Sequence, residues 1–315
     1  MNIFLSILLF IAGLVIVIYF AEQLVKGVVG TSLNFGISSF LISVIFIGFD
    51  PENLFVGAAG TVNDLPGIAL GSIIGAAMVA VALAFGITVL FVPLKFKSVP
   101  IQIVWIPNAA IVLYAILGLD GILSRIDGAI LELAFVLFIF YLIWQNRRGI
   151  DIKAQGEVAE SLGKAGKLNK SKSVGILIIS IIAITAGSEM LVEGSKTIIS
   201  KLQLSDTVFG MTILAFLISI EEIARELPAA KKGKPDISFG NILGSILAFF
   251  LCNAGIISLI KPVSIGQKAL WFYLPLCFFT VIVLSVFMLI RKIPRWAGGI
   301  FVGLYFVFLL MGYFI

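Results

Sequence analysis

Apolar residues along this chain gather into near-continuous runs of 18 or more, separated by short clusters of Lys, Arg, Gly, Pro and Asp. A helix of that length crosses roughly 30 Å of hydrocarbon. The pattern predicts ten spans, at 3–21, 37–59, 66–93, 100–118, 125–145, 174–199, 206–229, 236–260, 268–290 and 295–314. The first run has no basic leading region and no small-residue cleavage site, so it reads as a retained span, a removed leader being the alternative. The predicted fold is all-α: a polytopic membrane protein with little left over for a soluble domain.

Composition agrees, with 60% hydrophobic and 12% charged residues and a mean hydropathy of +1.17, far beyond a soluble domain. Lys and Arg fall unevenly between the loops, and they mark the inner face. With the N-terminus outside, sixteen lie in inner loops: Lys26, Lys95, Lys97, seven within 146–173, Lys231, Lys232, Lys234, Arg291, Lys292 and Arg295. Five lie outside: Arg125, Lys196, Lys201, Lys261 and Lys268. Both termini are therefore expected outside a cell membrane. The net charge of +5 reports orientation, since no basic stripe is interleaved with exposed aromatics as nucleic-acid binding would require. The only long polar stretch, 146–173, reads as a solvated cytoplasmic linker between a membrane unit at 1–145 and another at 174–315.

Those two units repeat one another. Phe20–Lys26 matches Gly187–Glu193, Glu52 falls opposite Glu222, and Gly67–Ile87 matches Asp236–Ile256, with offsets between 167 and 170. Equivalent spans lie five crossings apart, an odd number, so the second copy enters the membrane from the opposite side. Inverted repeats of five helices place a shared site near the midplane.

Each copy carries acids where lipid-spanning sequence should have none. Asp50, Pro51 and Glu52 fall mid-span, where an uncompensated charge costs about 2.5–3.5 kcal/mol even on the lenient scale. Pro51 has no N–H and disfavours helix at the residue before it, so the span should break at Gly48–Asp50 and free carbonyl oxygens beside the carboxylates. Ser219, Glu221 and Glu222 occupy the corresponding depth in the second copy. Carboxylates with freed carbonyls are hard oxygen ligands of the kind calcium takes. The glycine pairs Gly71/Gly75 and Gly240/Gly244 let a neighbouring backbone approach; packing alone would explain them. Asn241 and Ser245 add polar oxygens to the second pair, Ser72 to the first, each either as an ion ligand or as an interhelical hydrogen bond.

Scarcity narrows the chemistry further. There is no His, and Cys252 and Cys277 lie inside predicted spans, so zinc sites, His-dependent triads and a disulfide framework are not expected. No nucleophile motif supports an intramembrane enzyme, and no resident cofactor is expected. Arg225 either pairs with Glu221 or sits with Glu226 at the cytoplasmic water boundary. Glu22 and Glu189 read as anchors near span ends, while Glu132 is a buried acid with no repeat mate.

The paired segments IFIGFDPENL/GSIIG and ILAFLISIEEIA/GNILGS resemble the alpha-repeats of the cation/calcium exchanger superfamily, in particular its prokaryotic sodium/calcium exchanger-like members. The family pattern is G-[TS]-S-x-P-E, followed about 20 residues later by G-N-x-x-G-[ST]-N. Glu52 and Glu222 match the motif glutamates, Ser219 the serine, and Gly240, Asn241, Gly244 and Ser245 the second glycine motif. The resemblance covers nearly the whole chain and implies exchange of calcium against sodium or protons by alternating access. The expected metal-binding set is Glu52, Glu222, Asp50, Ser219, Glu221, Asn241, Ser72 and Ser245. Departures are equally plain: Phe49 replaces the first serine, Ser72 an asparagine, Ala77 and Ile246 the closing asparagines, and Glu221 the second proline. Amides are traded for acids, which favours a divalent ion or protons over several sodium ions. The alternative is magnesium or another cation on the same fold, or a divergent exchanger with little sodium dependence. Oligomeric state is not set by the sequence.

Overall fold

The first helix, α1 (Ile3–Asn34), runs well past the expected end at residue 21. Its second half stays helical because Leu24, Val25 and Val29 are buried, with Glu22 and Lys26 paired across one turn at 2.6 Å on its more exposed side. At 1.5 Å per residue it is about 48 Å long, more than the hydrocarbon is thick, so it must tilt or project. The structure is a computed structural model describing residues 2–46, 48–95, 101–147, 156–165, 169–231 and 235–314.

After α1 come α2 (Ser39–Ile45), α3 (Pro51–Val62) and α4 (Pro66–Phe91), the two-residue strand β1 (Leu94–Lys95), and α5 (Ile101–Leu117). Then follow β2 (Ile122–Leu123), α6 (Arg125–Arg147) and α7 (Gly156–Ala165). The second half contains α8 (Lys170–Leu202), α9 (206–219), α10 (Glu221–Lys231), α11 (235–260), β3 (Val263–Ser264), α12 (Ala269–Leu289), β4 (Lys292–Ile293) and α13 (Arg295–Phe314). Among the described residues eight helical stretches are long and apolar enough to cross a membrane, Asp206–Pro228 being one. A shorter apolar helix, Val104–Leu117, makes nine. The tenth predicted span is the one split into α2 and α3.

The inverted repeat is visible in local backbone geometry. Left-handed residues end α1 and α8 at Gly36 and Gln203, and recur at Gly121 and Arg291; both pairs are repeat equivalents. Ser38 and Ser205, also equivalent, cap α2 and α9 by accepting from Leu41 N and Val208 N. The wide π turns at Val79–Ala84 and Ala248–Asn253 are a third matched pair. Finally, β1 pairs with β4 and β2 with β3, both antiparallel, in registers that the repeat operation interchanges: Leu94 opposite Ile293, and Leu123 opposite Val263.

The repeats cross where small residues remove side-chain bulk. Gly71 of α4 lies on the backbone of Gly210 in α9, and Gly75 packs on Met211 and Ala215. The second span breaks between α2 and α3 as Pro51 requires: Phe46 ends α2, Gly48 has φ of +65°, and Asp50 is the N-cap of α3 with Pro51 in its first turn. Ile47 lies outside the described residues. Gly48 presses against the peptide joining Gly244 and Ser245, leaving no room for a Cβ. α1 and α8 pack along one another through Gly13, Gly27, Gly187 and Gly194.

The predicted linker contains structure that its polar composition concealed. In α7, Val158 is buried and Leu162 half-buried against Val25, Val29 and Leu33 of α1, Ile42 of α2, and Phe46 and Phe49 beside the break. Its remaining residues 148–155 and 166–168 lie outside the described residues, as do Lys97, Lys232 and Lys234.

Replacing Gly48 by Ala combines a left-handed backbone penalty with overpacking, and should cost at least about 2 kcal/mol. Thermal unfolding of the purified protein in detergent should show a drop of several degrees for Gly48→Ala. No change is expected for Gly299→Ala, where a Cβ would meet nothing within 4 Å.

Candidate cation site

The break places the start of α3 against the junction of α9 and α10. Asp50 caps α3: its Oδ1 accepts from the Asn53 backbone N–H at 2.9 Å, and both oxygens accept from Asn53 Nδ2 at 3.1 and 3.0 Å. The same amide donates to Ser219 Oγ at 3.2 Å, joining the two repeats through one side chain. Asn253, at the end of the second π turn, donates through Nδ2 to the Asp50 carbonyl at 3.5 Å.

Glu52 follows in the first turn of α3 and is 3% exposed. Its repeat mate Glu222, in the first turn of α10, is 4% exposed, and its Oε2 accepts from Asn241 Nδ2 of α11 at 2.9 Å. Glu222 and Glu221 lie within electrostatic reach of Asp50, which is 7% exposed. Glu221 is half-buried. Acids from both halves thus share one protein interior, at the N-termini of helices whose dipoles favour negative charge.

The neutral residues take different parts. Asn241 is buried and already holds Glu222. Ser219 is buried and receives Asn53. Ser72 is buried but donates to Ala69 O of its own helix at 3.0 Å, with its hydroxyl lodged against Gly57. Ser245 is buried, its backbone N–H beneath Gly48. Among the described residues no three His, Cys, Asp or Glu side chains converge on one point. An ion here must therefore be completed by hydroxyl, amide or carbonyl oxygens.

Three buried polar residues at this crossing were not singled out as candidates from sequence. Asn53 had a legible signal, an Asp followed three residues later by an amide at a helix start, where a side chain reaches back to the cap. Asn253 is a lone amide in an apolar run, the usual mark of interhelical polar contact. Glu226 differs from the water-boundary reading. It is 2% exposed, inside the protein and within electrostatic reach of Glu222. The Arg225 side chain lies outside the described residues.

Other acids serve elsewhere. Glu189 accepts from Asn63 Nδ2 at 2.8 Å, and Lys196 Nζ bonds Asn63 Oδ1 at 2.9 Å and Glu193 at 2.6 Å, tying α8 to the end of α3. Glu132 of α6 lies over Gly255 of α11, whose missing Cβ makes room for its carboxyl.

Comparison with known proteins decides what this constellation belongs to: the sodium/calcium exchanger protein family matches residues 5–144 and 172–314, nearly the whole chain. The chain is a member of the sodium/calcium exchanger family. An uncharacterized membrane protein of Methanocaldococcus jannaschii is 29% identical over 302 residues, covering 95% of each chain. The sodium/calcium exchanger MaX1 of Methanosarcina acetivorans is 23% identical over 346 residues, covering 98% of this chain and 99% of its own. The exchanger NCX_Mj, solved after soaking with sodium and strontium, superimposes with a TM-score of 0.60 at 27% identity over 97% of each chain. The nearly all-helical, two-repeat architecture described above is the fold this chain shares with NCX_Mj.

The Asn53 bridge makes a measurable claim. Asn53→Ala leaves Asp50 without its side-chain donor and should destabilise the detergent-solubilised protein by about 1–3 kcal/mol. In a double-mutant cycle with Asp50→Ala the two losses should fall short of additivity by about 1 kcal/mol or more. Additive losses would contradict the bond.

Proposed function

We propose that this exchanger moves calcium against sodium or protons by alternating access, through a site built on Glu52 and Glu222 near the bilayer centre. The observation that carries the reading is the Asn53 amide bonded at once to Asp50 of the first repeat and Ser219 of the second. It holds the broken span of one half against the acid-bearing turn of the other. The carboxylates of Asp50, Glu52, Glu221 and Glu222, with the oxygens of Ser219, Asn241, Ser72 and Ser245, are the hard donors from which fewer than three acids at a time, completed by neutral oxygens, would be drawn around a divalent cation.

Coupling follows from sharing. Calcium on the two glutamates excludes sodium or protons from the same oxygens, so each cargo crosses only when the other has left. The clasped elements α3, α4, α9, α10 and α11 act as the fixed body, and the remaining spans slide past it to open the site to one side and then the other. The long pair α1 and α8, in mutual contact through glycines, suits that movement. Lys and Arg distribution orients the chain in the cell membrane with both termini outside and the connector in the cytoplasm.

Proteoliposomes loaded with sodium, or carrying a pH gradient, should accumulate calcium, and the effective gradient identifies the counter-ion. Glu52→Gln and Glu222→Gln should each lower initial uptake by about tenfold or more, a barrier increase near 1.4 kcal/mol. Undiminished uptake in both variants would overturn the site, and preferential uptake of magnesium in competition would favour the other cargo.

A further inference from the structure

Glu226 has no part in the central site, yet it is one of the most deeply buried carboxyl groups in the described protein. Neither of its oxygens receives a well-formed hydrogen bond, the Asn241 amide acting on the carboxyl only from nearby. That is an expensive arrangement, because an unpaired buried polar group forfeits its hydration without replacement. Glu226 lies one turn beyond Glu222 on α10, so the two side chains share a helix face and stand about 6 Å apart along the axis. Glu222 and the Asn241 side chain are the neighbours that act on it. Asn241 Nδ2 is directed to Glu222, and the same amide acts as a donor toward Glu226, so its Oδ1 would face an ion only once the amide turns over. Two carboxylates and an amide oxygen make a small set of hard donors with a formal charge of −2.

We propose that Glu222, Asn241 and Glu226 form a second binding position for a divalent cation, one helical turn from the central site on the side toward Lys231. This inference rests on the reading of Glu222 as a cargo ligand and assigns that residue a second task, passing an ion between the central position and the cytoplasmic end of α10. The paired negative charge matches a divalent ion. A divalent ion gains twice the Coulomb attraction that a monovalent ion gains from the same two carboxylates. An ion held by two carboxylates, with Glu222 common to both positions, can move by exchanging one ligand at a time rather than by full rehydration.

The test disables the central position and asks what remains. The Glu52→Gln protein, purified into nanodiscs, is titrated with radioactive calcium by equilibrium dialysis. It should retain close to one bound ion, and adding Glu226→Gln should weaken that binding by about tenfold or more. The Glu52→Gln/Glu226→Asp protein, which keeps the carboxylate, should recover most of it, and melting curves confirm that each variant is folded. Equal binding with and without Glu226→Gln overturns the proposal, as does absence of binding in Glu52→Gln alone. A carboxylic acid infrared band lost in Glu226→Gln and indifferent to calcium also overturns it, by making Glu226 a proton carrier only. Failure here would leave the central site standing if wild-type calcium flux responds to Glu52→Gln; failure of that flux test would be seen separately.

Discussion

Four carboxyl groups, Asp50, Glu52, Glu222 and Glu226, are buried within a chain whose surroundings are mostly hydrocarbon-like, and the rest of the structure answers to that constraint. A charge in such a medium is tolerated only with donors, dipoles or a counter-ion close by. The protein supplies the first two by ending and restarting helices at the depth of the acids: Asp50 and Glu52 open α3, and Glu221 and Glu222 open α10. Amides do the remaining work, Asn53 on Asp50 and Asn241 on Glu222. On the proposed function, a transported cation would supply the third element.

Breaking a helix in this environment has its own cost, because exposed backbone groups need partners. The break is therefore pressed against protein rather than lipid. Gly48 adopts a left-handed conformation directly over the Gly244–Ser245 peptide, and Asn253 reaches the carbonyl of Asp50. The glycine spacing that sequence alone could attribute to packing is the means by which two backbones come close enough for the acids of both halves to share an interior.

Much of this was legible in the order of residues. Length and apolarity located the spans, Pro51 located the interruption, and the offset between Glu52 and Glu222 revealed the duplication. What escaped did so for physical reasons. The length of α1 depends on tertiary packing, with Leu24, Val25 and Val29 buried and Gly27 seated on Leu177 of α8, while the partly exposed Glu22–Lys26 pair adds a little. The docking of α7 depends on two apolar side chains, Val158 and Leu162, in an otherwise polar stretch whose average says solvent. The burial of Glu226 depends on how α10 packs with α4 and α11, a tertiary fact that no local pattern encodes. Asn53, in contrast, obeyed a local capping rule and was available to a reader attending to helix starts.

The two short ladders have a consequence for how the chain is made. Leu94–Lys95 finds its partner in Lys292–Ile293, and Ile122–Leu123 in Val263–Ser264. Neither rim closes within the segment first synthesised. β2 can pair only once Val263–Ser264 has been made and β1 only once Lys292–Ile293 has, so these two rim contacts between the halves form late, after most of the second repeat has been synthesised.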